Sequence, residues 1–306
     1  MKKYKTFLTI FIFYIIFNMI LFPSLYIGQT LDGITAWAFN VLPSLLPFIF
    51  FTKILSSLGT VEKFSLAFKK PCYHLFKTPP ISSYVFFMSM ISGYPVGAKM
   101  TSDLYTSGQI TKSQAFKMSS FCSTSGPMFI IGAVGVGMLK NATYGYIIFI
   151  SHILGALING VLYRNLKVKD DKAVNKKIQN TQEFNLSNTV IDSSLSIISV
   201  GAIIAIFFVV ITSLSPIFNL LPTNIACIFK GLVEITKGCI DISGSMNGAL
   251  AIISCTFIIS FGGLSTIFQS IAMLNKLEQP ISLFILQKFT HAIIATIISI
   301  IICLLI

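Results

Sequence analysis

Apolar residues fill this chain in runs of about 20, and polar residues are confined to short stretches between them. A run of that length crosses roughly 30 Å of hydrocarbon as a helix, so the pattern predicts a polytopic helical membrane protein. The first span is expected at about Thr6–Ile27, and the second at Ile34–Leu58, returning through two prolines. Residues 60–78 are basic and amphipathic and read as an interfacial segment. Residues 81–107, 113–139 and 143–163 are three further apolar segments, the second interrupted by "STSGP". After a polar loop come Val190–Leu214, an amphipathic stretch at 222–240, an apolar segment at 247–275 and a last span at 281–305.

The order of elements repeats. With Gly93 placed over Gly262, "VFFMSMI" meets "CTFIIS", and in both halves a long span precedes an amphipathic stretch and a glycine-broken apolar segment. The expected fold is therefore an all-α inverted repeat with two broken-helix or hairpin elements and about seven to nine membrane segments. Its divisions are an N-terminal span at 1–30, a first repeat at 31–163, a basic loop at 164–187 and a second repeat at 188–306.

Composition sharpens this picture. Of 306 residues, 54% are hydrophobic and only 10% charged, with mean hydropathy +0.84, against roughly 25% charged in soluble proteins. The net charge of +12 does not indicate nucleic acid. Lys2, Lys3 and Lys5 precede the first run, Lys63, Lys69, Lys70 and Lys77 follow the second, and Arg164, Lys167, Lys169, Lys172, Lys176 and Lys177 fill the polar loop. Basic loops at span ends place those segments, and the N-terminus, in the cytoplasm of a multi-pass cell-membrane protein. Six cysteines lack disulfide or metal spacing and read as small buried hydrophobes. The N-terminal run is too long for a signal h-region and is expected to be retained.

The stretch "SGYPVGAK", Ser92–Lys99, stands out inside bilayer-grade sequence. Irregular backbone at membrane depth is tolerated only where protein or a water-filled cavity satisfies its N–H and C=O groups. It and "STSGP" therefore predict two helix breaks facing one cavity, shaped by Gly93, Pro95, Gly97 and Pro127, with Gly262 and Gly263 as the second-half counterpart. A helix restarting after each break turns free amides and its positive dipole end toward a solute. Lys99 adds a charge one turn into such a restart, although snorkelling or a pair with Asp103 is the bland alternative.

Lys288 is costly in a span unless it faces a cavity or partner. Candidate solute contacts are thus Lys99, Ser123, Thr124, Ser125, Gly126, Lys288 and Gln269, while Asn159 and Gln287 suit interhelical hydrogen bonds better. The "GAVGVG" run at 132–137 lacks a nucleotide-loop context and reads as a smooth packing face. No catalytic constellation emerges, so no enzyme activity, metal or cofactor is expected. A coupling Na+ or H+ is left open, with His152 and His291 as the candidate proton relay.

The residues "MISGYPVGAKMTSDLYTSGQIT", "FCSTSGPMFIIGAVGVGML", "SHILGALINGVLY" and "SFGGLSTIFQSIAML" resemble the sporulation integral membrane protein family of the YlbJ type. That family lies within the nucleoside-recognition or Gate domain group, similar in architecture to the concentrative nucleoside transporters. Lys288 falls where the family usually has a basic residue. The resemblance implies a protein of endospore formation, in the outer forespore membrane, moving dipicolinate (pyridine-2,6-dicarboxylate) toward the forespore. The reading is an alternating-access carrier for a small organic anion, with a nucleoside permease or a non-transporting gate subunit as alternatives. Its expected partners are that solute and the lipid bilayer, with no nucleic acid; a second copy or a membrane partner subunit is left open.

Overall fold

The computed structural model describes residues 2–58, 69–168, 185–274 and 277–306. Residues 60–68 of the interfacial segment expected at 60–78, and most of the basic loop at 164–187, therefore lie outside the described residues. Within them every regular element is a helix, with no strand. Five helical stretches are long and apolar enough to cross a membrane, and four shorter apolar helices accompany them. The chain is an all-α polytopic membrane protein.

Helix α1 (Lys2–Leu21) ends at Phe22, where ψ of 56° bends the chain before α2 (Pro23–Ala36). A π-helical turn (Trp37–Val41) joins α2 to α3 (Leu42–Ser57), so Pro23–Phe51 forms one continuous apolar stretch. This corrects the expected boundary between the first two spans. "QTLDG" is not a turn: Gln29 bonds Asp32 within the helix, and the bend falls instead at Phe22–Pro23, where proline can start a helix without losing a bond.

The middle of the chain is more broken. Helices α4 (Lys69–Phe76), α5 (Ile81–Ser92), α6 (Val96–Thr106) and α7 (Lys112–Ser119) are all short. Thr111 and Gln114 close a capping box at the start of α7. Residues 120–126 are non-helical, and a π-helical segment (Met128–Met138) follows Pro127. The segment expected as one interrupted span at 113–139 is thus two short halves around an irregular centre.

Helix α8 (Ala142–Leu162) begins at Asn141, whose side chain accepts the N–H groups of Thr143 and Tyr144. Helix α9 (Leu186–Ser213) and the short α10 (Ser215–Phe218) come next. The amphipathic stretch expected at 222–240 is a helical hairpin, α11 (Thr223–Val233) and α12 (Ile235–Ser245), with Glu234 at its tip. A Cβ on Gly238 would come within 2.2 Å of the Gly231 Cα, so this hairpin closes backbone to backbone. Helices α13 (Gly248–Phe261), α14 (Gly263–Leu274) and α15 (Ile281–Leu305) complete the chain.

Helix α9 runs antiparallel to α2: Ser213 meets Tyr26, Ala205 meets Gly33, and Gly201 meets the Trp37 ring. The two broken helices meet where α6 packs on α14, and α15 lies across α8 and α13. Small residues set these approaches, Gly155 against Ala295 and Gly135 against Gly145, which agrees with the smooth face expected at 132–137.

Side chains such as Phe7, Phe13, Phe17, Ile198 and Leu286 are exposed outside this packing, as lipid contact demands. Gly201→Ala would put a Cβ 2.6 Å from the Trp37 ring, and overpacking of that kind costs about 1–3 kcal/mol. We expect a clearly lower melting temperature in detergent, with Gly244→Ala, which meets nothing within 4 Å, as the neutral control.

Candidate functional site

Of four interruptions in helices, three line one cavity and the other, at Gly262, lies beside it. The first is Ser92–Pro95, between α5 and α6, where Gly93 takes φ of +76°. The second is 120–126. The two cross in direct backbone contact: a Cβ on Gly93 would stand 2.9 Å from the Gly126 nitrogen, and one on Gly97 would stand 1.6 Å from the Cys122 carbonyl oxygen. No residue but glycine fits at 97. The third is Gly262, left-handed with φ of +95°, which ends α13 before α14 begins. The fourth is the hairpin tip at Glu234.

The cavity is lined by Ser92, Gly93 and Tyr94 from the first break and by Ser125 and Gly126 from the second. Glu234 and Thr236 come from the hairpin tip, and Ser265, Thr266 and Gln269 from α14. Val41, Leu45, Val200, Ile203 and Ile204 form an apolar wall opposite. Such an arrangement, an apolar surface with a few converging polar groups, is the usual form of a small-molecule site.

Side chains from four helices hold the breaks in shape. Ser89 on α5 accepts the Thr124 N–H (3.1 Å) and bonds its hydroxyl (3.0 Å). His152 on α8 accepts the Ser125 N–H at Nε2 (2.9 Å). A neutral ring accepting at Nε2 carries its proton on Nδ1, which donates to the Ser260 hydroxyl at 2.9 Å. His291 on α15 donates from Nε2 to the His152 carbonyl (2.9 Å), and the two rings lie 4.7 Å apart. Asn159 donates to the carbonyls of Ser120 and Gln287, and Gln287 to that of Phe116.

Lys288 occupies the centre of this scaffold. Its amine donates to the Tyr94 hydroxyl (2.6 Å) and to the Ser123 carbonyl (2.8 Å), with the Tyr94 ring centroid 4.7 Å away. A Cβ on Gly262 would lie 3.4 Å from its Cε, so one lysine touches three of the four interruptions. The residue is 2% exposed, and no carboxylate pairs with it among the described residues.

The expected residues divide accordingly. Ser125, Gly126, Gln269 and Gly93 line the cavity. Lys288 reaches it through Tyr94, and Thr124 and Ser123 sit behind the lining, the Ser123 hydroxyl buried and without a partner among the described residues. Pro95, Gly97, Pro127, Gly262 and Gly263 shape the backbone, and a Cβ on Gly263 would press on the Gly231 carbonyl at 3.1 Å. His152 and His291 are hydrogen-bonded struts at the rear.

Lys99 is not brought in. It is exposed on α6, and neither it nor Asp103 forms an ion pair among the described residues. Tyr94, Glu234, Ser265 and Thr266 were not expected from sequence. For Glu234 a signal existed: an acid flanked by apolar residues in "GLVEITKG", with Gly231 and Gly238 bracketing it.

The arrangement can bind, orient and desolvate a solute. Among known proteins, the sporulation integral membrane protein YlbJ of Bacillus subtilis (strain 168) is 32% identical over 167 residues. The match covers 55% of this chain and 41% of that protein, so the chain spans less than half the length of this curated relative. No family model matches the chain. No solved structure matches it either.

Proposed function

We propose that this chain is a carrier acting in endospore formation, which moves a small organic anion, dipicolinate, across the membrane by alternating access. The observation carrying the reading is the convergence of three helix interruptions on one cavity, with a fourth beside it. Two restarting helices, α6 at Val96 and the π-helical segment after Pro127, begin beside it, and such starts favour anionic groups. The B. subtilis relative, a sporulation integral membrane protein, supports the biological setting. In this reading the chain sits in the outer forespore membrane with a cytoplasmic N-terminus. The solute rests near the midplane while the α3–α9 wall moves against the hydrogen-bonded breaks.

A nucleoside is the second reading, and Glu234 is what favours it. A carboxylate and Gln269 in one cavity would accept and donate to sugar hydroxyls without meeting a like charge.

Uptake of labelled dipicolinate, with uridine for comparison, into proteoliposomes holding only this chain decides between them. Saturable dipicolinate uptake is expected. Saturable uridine uptake alone would transfer the assignment to the nucleoside reading, and uptake of neither would favour a subunit that works only with a second polypeptide. Gln269→Ala removes one contact worth about 1 kcal/mol, so half-saturation is expected to rise by roughly fivefold.

A further inference from the structure

The cavity holds an acid that an anion carrier should not tolerate uncompensated. Glu234 is 2% exposed and lines the same space as the two crossed breaks. Its carboxylate accepts the Lys237 N–H at 2.7 Å, with Thr236 also bonded to it. These bonds fix its orientation without adding a cation. The ion pairs among the described residues, Lys112–Glu278, Lys230–Asp241 and Lys237–Asp241, leave it out.

The charged groups nearby are committed elsewhere. On the hairpin, the amines of Lys230 and Lys237 both go to Asp241. On the first break, Tyr94 presents a phenol whose oxygen is held by Lys288 from behind. His152 and His291 lie beyond Ser125, engaged by its N–H and by the His152 carbonyl. The facing α14 offers Ser265, Thr266 and Gln269, and the wall from α3 and α9 is apolar. One of these is an independent sign of a missing ligand: the Ser265 hydroxyl, 1% exposed and lining the cavity, has no hydrogen-bond partner among the described residues.

The geometry points to Glu234 as the seat of a positive charge that binds together with the transported anion, with the Ser265 hydroxyl as its second oxygen ligand. The inference rests on the carrier reading above and places ion coupling at the hairpin tip instead of at the histidines. A small cation or proton between carboxylate and solute removes the like-charge contact. Hydroxyl and carboxylate oxygens suit a hard alkali cation, and the carboxylate alone suits a proton. Either source makes anion and cation binding mutually favourable, and by linkage each must raise the other's affinity equally.

The chain carries one tryptophan, Trp37, whose ring abuts Gly201 beside the cavity-lining Val200. Its fluorescence reads binding in the purified full-length chain without transport. Dipicolinate would be titrated at fixed pH with sodium chloride against choline chloride, then at fixed sodium from pH 5.5 to 8. Dipicolinate affinity is expected to rise about 5- to 150-fold in one arm, sodium naming an alkali cation and acid naming a proton. Glu234→Gln, which keeps an acceptor for the Lys237 N–H, should bind dipicolinate with no dependence on that arm. Ser265→Ala should weaken the sodium arm alone. Wild-type protein that binds dipicolinate equally in every condition overturns the inference and leaves the carrier reading standing. Wild-type protein that binds no dipicolinate in any condition overturns both.

Discussion

Gly97→Ala will leave no stably folded protein. The new methyl group would stand 1.6 Å from the Cys122 carbonyl oxygen and 2.7 Å from the Ser89 hydroxyl. The serine can rotate; the carbonyl belongs to the crossed backbone and cannot. Ordinary overpacking costs about 1–3 kcal/mol, and here relief requires separating the two breaks that form the site. In detergent extracts the variant should lose its monodisperse peak or melt far below wild type. Gly28→Ala, with nothing within 4 Å of its Cβ, should behave as wild type. A Gly97→Ala protein that melts normally would show that the breaks are not in contact.

Lys288→Met will weaken anion binding at least about tenfold and lower stability as well. It strips the Tyr94 hydroxyl and the Ser123 carbonyl of a shared buried donor, and each buried polar group left unpaired costs about 1–3 kcal/mol. Because Tyr94 lines the cavity, the loss should reach the solute through its displacement. Lys99→Ala, on the exposed face of α6, should alter neither binding nor melting. Tryptophan fluorescence titration and thermal unfolding on the same three proteins check both halves. Weakened binding in Lys99→Ala with full binding in Lys288→Met would reverse the assignment.

Why one lysine and not the other could be placed from sequence follows from helix phase. In α6 the buried residues are Gly97, Ala98, Thr101 and Ser102, while Lys99 and Asp103, four apart, share the opposite face. Reading "SGYPVGAK" as a break identifies where a helix restarts, not which way its second turn points. Lys288 was legible because a lysine amid apolar residues on a spanning helix has few destinations. The breaks themselves were legible for a similar reason: glycine and proline stand against a uniformly apolar background.

The hairpin was hidden. Two 11-residue helices produce the same amphipathic pattern as one interfacial helix, and only the tight Gly231–Gly238 approach distinguishes them. Glu234 was hidden with it, since its burial depends on that closure. The bend at Phe22 was masked by "LDG", whose polar residues suggest a turn but are accommodated on an exposed helical face.

The hydrogen bond from Lys288 to the Ser123 carbonyl also bears on how the protein is made. Its partners are 165 residues apart, and the Tyr94 bond spans 194. Contacts of such separation form late, because the intervening chain must first be closed into a loop. A ribosome delivers residues 120–126 into the membrane long before α15 exists to hold them. During that interval the irregular backbone must find water, lipid headgroups or a helper protein for its unpaired amides. Arrival of the last helix would then act as the closing step of biogenesis. Chains arrested before residue 281 should be inserted but protease-sensitive around Ser123, and adding α15 as a separate segment should restore protection.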